Sequence, residues 1–129
     1  MEINESVVNS VVKQIKRGEV YWCKDRFLDA NGNIVDEETT HPYCIVSDDC
    51  FNSHGCYVLA VMITTKEYDY PTNTVLTGYQ KLKKSTVKAG CIHIMPKALI
   101  GDKICNIRKG DLLNIEYCMQ LALSLPTEE

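Results

Sequence analysis

The sequence predicts a mainly β single domain: a small, half-open barrel of short strands with one helix before it and one after. Three observations carry this reading. Short apolar runs rich in β-branched and aromatic residues recur between turn-prone polar segments, the pattern of buried strands. Apolar residues at helical spacing are confined to the two ends of the chain. At 129 residues and 45% hydrophobic content, the chain can bury one core without staples, and no second domain is expected. The expected division of 1–129 is a helical extension over 1–16, then the barrel and its closing helix over 17–125.

Valines 7, 8, 11 and 12 with Ile15 place one apolar stripe along a helix from Glu5 to Lys16, which Gly18 ends. Glu19–Cys23 begins the first strand, with Tyr21 and Trp22 expected in the core. From Lys24 to Thr40 the chain is polar, and Asn31-Gly32 is a hairpin-turn signal because both residues tolerate positive φ. A projecting loop or small hairpin carrying Asp36, Glu37 and Glu38 is expected there. Tyr43–Val46 and Tyr57–Ile63 read as a buried strand pair joined by a polar turn. Each end of this pair carries a residue capable of chemistry, His41 before it and Thr64-Thr65 after it. Closure of the sheet into a barrel is the geometry expected to bring those ends together.

Beyond the pair, Lys66–Pro71 reads as a loop whose Tyr68 and Tyr70 either stack on bases or clamp the loop. Thr74–Thr77 is a further strand. Val87–Met95 is another, with Gly90 marking a bulge or tight bend and Pro96 ending it. Ile104–Ile107 is a short last strand. Gly110–Leu125 has helical spacing, with Leu112, Ile115, Met119 and Ala122 on one face and Leu113, Tyr117 and Leu121 beside it, so burial on more than one side is expected. Pro126–Glu129 reads as a frayed tail.

The seven cysteines, at 23, 44, 50, 56, 91, 105 and 118, are odd in number and form no C-x-x-C pair, which points to reduced thiols in the cytoplasm. Cys50, His54 and Cys56 carry zinc-type ligands but lack a fourth at a recognised spacing, so no metal site and no cofactor are assigned. The N-terminus is polar and no apolar run approaches the roughly 20 residues of a membrane helix. The net charge of −3 conceals an uneven distribution. Within 81–109, Lys81, Lys83, Lys84, Lys88, Lys97, Lys103, Arg108 and Lys109 stand against Asp102 alone, a local phosphate-attracting face or simply a solvated surface.

Several stretches together resemble one family. They are IKRGEVYW at 15–22, His41-Pro42 running into Val46-Ser47-Asp48-Asp49, the Phe51-Asn52-Ser53-His54 segment, Ile63-Thr64-Thr65, Pro71-Thr72 and the C-terminal LALSL. In order and spacing, over roughly residues 15 to 125, they are similar to the MazF/PemK toxins. The resemblance implies an SH3-like barrel of the CcdB/PemK type, a homodimer, metal-independent cleavage of single-stranded RNA, and neutralisation by a small antitoxin. The family's arginine before the strand proline is His41 here, whereas the threonine that acts with it is retained as Thr64. The family's acidic-glutamine pair and following cation correspond to Gly90, Cys91 and His93. Its Gly-Ser-Glu-Gln loop is missing, with Asp36-Glu37-Glu38 the nearest acids.

Cleavage of RNA without a metal uses the ribose 2′-hydroxyl as nucleophile, and it needs a base, an acid for the leaving 5′-oxygen and a group that stabilises the charged phosphorane. Histidine serves any of these roles, because its ordinary pKa of about 6.5 allows both protonation states near neutrality. His41, Thr64 and His93 are therefore the candidate catalytic residues. Thr65, Tyr68, Tyr70, Lys81, Lys83, Lys84 and Lys88 are the candidate RNA contacts. Two functions fit the sequence: a toxin endoribonuclease, or a module of the same family whose active site has decayed and that binds RNA or a protein partner without cleaving.

Overall fold

The computed structural model describes residues 14–67 and 69–126, without the side chains of 26–28 and 36–38. Six strands and two helices follow one another: β1 (Glu19–Leu28), β2 (Ile34–Ile45), the single-turn α1 (Asp49–Asn52), β3 (Tyr57–Thr64), β4 (Asn73–Leu76), β5 (Ser85–Pro96), β6 (Ile100–Asn106) and α2 (Lys109–Leu123). All strands pair antiparallel in one sheet of order β4-β5-β3-β2-β1-β6. Residues 5–13 of the expected N-terminal helix lie outside the described residues. Residues 14–16 are irregular, and Ile15 is buried against Tyr21, Tyr43 and Ile45.

The polar stretch expected as a loop or small hairpin is a long one, in which β1 and β2 run on to a turn at Asp29–Asn33. Gly32 adopts φ +81°, and Asp29 Oδ1 accepts the backbone N–H groups of Asn31 and Asn33, each at 2.9 Å. The turn chemistry was legible, but the strands beside it carry no apolar alternation to announce them.

The sheet is not closed, which corrects the expectation of a barrel sealed by strand pairing. Its two edges are instead clasped by Arg108, at the end of β6. The guanidinium donates to the carbonyls of Thr77 at 3.0 Å and Gly78 at 2.6 Å, just past β4, and lies 4.0 Å over the Tyr79 ring. The Tyr79 hydroxyl accepts the Arg108 N–H at 2.9 Å and donates to Asp111 at 2.5 Å. Five donors in a planar fork reach carbonyls that two edge strands could not satisfy by a ladder at this spacing.

Side chains alternate between two cores, as the period of two demands. Cys44, Val46, Val61, Ile63, Val87 and Ala89 face the first, closed by Leu76 of β4, Ile104 of β6 and Ile115 and Cys118 of α2. Tyr43, Ile45, Val58, Ala60 and Met95 face the second. β2 and β3 are thus buried on both sides, which explains why their sequence reads as continuous apolar runs. On α2, only the face carrying Leu112, Ile115 and Met119 meets the sheet. Leu113, Tyr117 and Leu121 are about half exposed, so burial on more than one side of this helix does not occur within the described chain.

The expected break at Gly90 is a bulge. Val61 pairs with Ile92 and Ile63 with Val87, so residues 88–91 of β5 stand opposite Met62 alone. A Cβ on Gly90 would lie 2.5 Å from Thr72 Oγ1 and 3.1 Å from Thr72 Cβ, with Ala122 also at 3.5 Å. Gly90→Ala is expected to lower stability by about 1–3 kcal/mol through overpacking. Adding Thr72→Ala, which removes the nearer atom, should recover part of the loss in chemical denaturation. An unchanged unfolding midpoint for Gly90→Ala would show that the bulge is not so tightly packed.

Candidate functional site

The β2–β3 register places the two sequence candidates together. Tyr43 pairs with Met62, and two residues further along each strand stand His41 and Thr64. The start of one antiparallel strand lies beside the end of the next, so this juxtaposition needs no closure of the sheet, contrary to the expectation from sequence. Both residues line a cavity of about 320 Å³ with Trp22, Pro42, Thr65, Lys81, Lys83 and Ser85 among its other walls. Trp22, expected in the core, is 44% exposed and forms part of this wall. It lies on β1 between Tyr21 and Cys23, which both turn to the second core, and the strand period sends it the other way.

Thr64 is buried, and its hydroxyl accepts the Lys66 N–H at 3.2 Å, the local bond by which a threonine ends a strand. Across the ladder it meets Thr86. Lys81 and Lys83 belong to the β4–β5 connection, which passes over the mouth of the cavity. Of the basic run, Lys97 donates to the Gly55 carbonyl at 3.0 Å, Lys103 pairs with Glu19 at 2.6 Å and Arg108 forms the clasp. Among the described residues Lys81, Lys83 and Lys84 take part in no ion pair, so the uncommitted positive charge is concentrated on that connection.

The other RNA-contact candidates divide between two neighbouring depressions. Lys84 and Thr65 line one of about 240 Å³ with Glu67 and Asp69, and Tyr70 and Lys88 line one of about 510 Å³ with Thr72 and Cys91. Tyr68 lies outside the described residues.

His41 is held from below. Its Nδ1 is 2.7 Å from Asp25 Oδ2, a carboxylate that also receives the hydroxyls of Thr39 at 2.8 Å and Tyr43 at 3.0 Å. Asp25 is 7% exposed, whereas the His41 side chain is 38% exposed. Burial, followed by the Asp25 charge, pushes the Tyr43 phenol well above its ordinary pKa and keeps it a donor. Sequence reasoning missed Asp25 and Tyr43. Asp25 continues the inward alternation of Tyr21 and Cys23, the one signal available, but a charged residue between Lys24 and Arg26 reads as solvated.

His93 does not join His41 and Thr64 at the cavity. It pairs with Ala60 on β5, and its ring meets that of Tyr43 edge-on at 5.4 Å. The link to His41 is therefore indirect, through Tyr43 and Asp25. Burial, then the charge of Lys88, lowers the His93 pKa, with Asp25 acting in the opposite sense. His54 lies at the end of α1, its Nδ1 2.8 Å from the Cys50 carbonyl, while Cys50 and Cys56 are exposed.

Residues 16–123 match the family of PemK-like, MazF-like toxins of type II toxin–antitoxin systems. No curated protein matches the chain. Among solved structures, an endoribonuclease in complex with its cognate antitoxin from a mycobacterial species is 27% identical with a TM-score of 0.72, over 88% of this chain and 99% of that one. A second mycobacterial endoribonuclease is 26% identical with a TM-score of 0.73, over 91% and 98%. A MazE–MazF complex from Deinococcus radiodurans, 14% identical with a TM-score of 0.70 over 88% and 98%, shares the fold.

Because the folded state disfavours protonated His93, acid titrates the unfolded chain first. The contribution of this residue to stability is complete above about pH 6.5 and is lost as pH falls from there toward its lowered folded value. Wild type is expected to lose more stability between about pH 7.5 and about pH 5 than His93→Gln, read from denaturant midpoints. Equal losses would show that folding does not disfavour the protonated His93 ring.

Proposed function

This chain belongs to the PemK-like, MazF-like toxins of type II toxin–antitoxin systems, and on that premise we propose that it is an endoribonuclease whose centre is the cavity between His41 and Thr64. The observation that carries the proposal is the convergence, in one depression on a chain of net charge −3, of an imidazole, a buried strand-end threonine and two lysines that form no ion pair among the described residues. Single-stranded RNA enters along the β4–β5 connection, with its phosphates over Lys81, Lys83 and Lys84, and extends past Thr65 and Tyr70 toward Lys88. Unpaired bases suit such a surface, because they can splay into the side depressions and stack on exposed rings. At the scissile phosphate His41 and Thr64 flank the phosphorane. The imidazole moves the proton between the 2′-hydroxyl and the leaving 5′-oxygen, and the threonine hydroxyl and lysines stabilise the developing charge. The products are a 2′,3′-cyclic phosphate and a 5′-hydroxyl. The step needs no metal, since neither deprotonation nor charge stabilisation lacks a side chain to perform it.

His93, partly buried and packed on Tyr43, supports the floor of this site and has no direct contact with RNA in the present reading. We read the open sheet with its clasped edges as the SH3-like barrel of the family. We further assign to the chain a homodimeric state and a cytoplasmic location, and also neutralisation by a small antitoxin protein, the last supported by the antitoxin-bound endoribonuclease at 27% identity.

Protein freed of any partner, incubated in chelator with a long single-stranded RNA, is expected to yield fragments with cyclic-phosphate ends. His41→Ala and Thr64→Ala should each slow cleavage by about 10²-fold or more. Absence of cleavage by wild type would favour the decayed module, which binds RNA or a protein partner without cutting. Unchanged rates in both variants would move the catalytic centre elsewhere. For binding, Lys81→Ala and Lys83→Ala should each reduce the dependence of log Kd on log salt by about 0.7, the value for one phosphate contact on a single strand. A salt dependence equal to that of wild type would remove these lysines from the RNA path.

A further inference from the structure

We propose that Asp25 is a positioning residue for the reaction: it holds His41 with the proton on Nδ1 and so leaves Nε2 as the nitrogen available for proton transfer. The inference rests on the endoribonuclease reading, and it concerns a residue that the resemblance to the family does not single out. Asp25 lies on β1 opposite the register shift between β1 and β2, where Lys24 pairs with Thr40 but Arg26 with Asp36, and this irregularity leaves Asp25 facing Thr39 and His41. The hydroxyls of Thr39 and Tyr43 donate to one buried carboxylate at 2.8 and 3.0 Å, and His41 Nδ1 lies 2.7 Å from it.

An ionised carboxylate only accepts hydrogen bonds, so the close contact at Nδ1 requires the proton to be on that nitrogen. In neutral His41 the lone pair is then on Nε2, which makes no hydrogen bond among the described residues. In the protonated ring Nε2 carries the proton that the leaving oxygen needs. The same nitrogen thus serves as base and acid in turn, and Asp25 takes up no proton in the cycle. The charged groups around the ring are consistent with this division. Asp25 faces it from β1, Lys81 and Lys83 of the β4–β5 connection line the same cavity, and the charge of Lys88 on β5 acts on His93.

An arginine at position 41 would need no such partner, because it is charged and donates from every nitrogen. A histidine does, since in the other tautomer Nε2 is a donor that cannot act as a base. The Asp25 carboxylate is the group that makes the histidine at this position usable.

The tautomer of His41 is read by ¹⁵N chemical shifts of wild type at neutral pH, and this measurement needs neither activity nor a variant. Nδ1–H is expected, and Nε2–H would overturn the proposal. Asp25→Asn keeps the shape and can present its amide N–H to Nδ1, which reverses the tautomer. This variant should lower kcat by about 10²-fold or more with KM within about threefold. In a His41→Ala background the same substitution should add nothing, whereas a merely structural strap would give additive losses. Retained kcat in a folded Asp25→Asn protein would likewise overturn the proposal. If wild type cleaves no RNA, the endoribonuclease reading fails and takes the role of Asp25 in turnover with it, while the ¹⁵N spectrum still decides the Asp25–His41 arrangement on its own.

Discussion

The antiparallel pairing of β2 with β3 is the constraint on which the rest of the molecule depends. Both strands bury both faces, with Tyr43 and Ile45 turned to one core and Cys44 and Val46 to the other, so the pair has no solvent face that could tolerate a slip. A one-residue shift would exchange the two sets of side chains and drive Tyr43, whose hydroxyl needs Asp25, into an aliphatic environment. The same register sets His41 beside Thr64. Site geometry is therefore a by-product of core packing, and the energy that fixes it is the burial of several β-branched and aromatic side chains, each worth roughly 1.5–3 kcal/mol.

Around this pair, irregularities in the ladders direct chemistry outward. The bulge at 88–91 divides β5 into a first half that lies between β4 and β3 and a second half that pairs with β3. Its cost in lost ladder bonds is tolerated because Gly90 admits Thr72 and Ala122, near the C-terminal end of α2, at close range. The second irregularity, between β1 and β2, brings Thr39 and His41 onto the inward carboxylate of Asp25. Regular pairing at either place would give a flatter sheet without the depressions that flank Thr65 and Lys88.

How much of this was legible in the sequence follows from the physics of each signal. Strands with two buried faces announce themselves as unbroken apolar runs, and 43–46 and 57–63 were readable for that reason. The terminal helix showed its stripe, because Leu112, Ile115 and Met119 meet a single sheet. The extension of β1 and β2 through the polar hairpin left no trace, since its pairing rests on backbone bonds that any side chain permits. Edge closure was misjudged because Arg108 looks like one more cation in a basic run, and only its aim at the carbonyls of Thr77 and Gly78 distinguishes it. At the site, His41, Thr64 and the lysines were legible from residue type and place. Asp25 was not, because a carboxylate between Lys24 and Arg26 reads as solvated even though it continues the inward alternation of Tyr21 and Cys23, and the partners that satisfy it are set by a register shift that local sequence does not encode.

The two kinds of cation in this chain show why net charge was a poor guide to its surface. Lys103 and Arg108 are consumed by Glu19 and by the edge clasp, and their charge is largely cancelled within a few ångströms. Among the described residues Lys81, Lys83 and Lys84 form no ion pair, although Lys84 shares a depression with Glu67 and Asp69, and three like charges within four residues raise each other's energy unless a polyanion or salt relieves them. The fold accepts this repulsion at an exposed connection, where flexible side chains and water keep it small. A phosphate backbone laid across it would exchange that repulsion for attraction and release counterions. An acidic protein can thus hold one basic path, and the path ends where the imidazole of His41 and the hydroxyl of Thr64 meet.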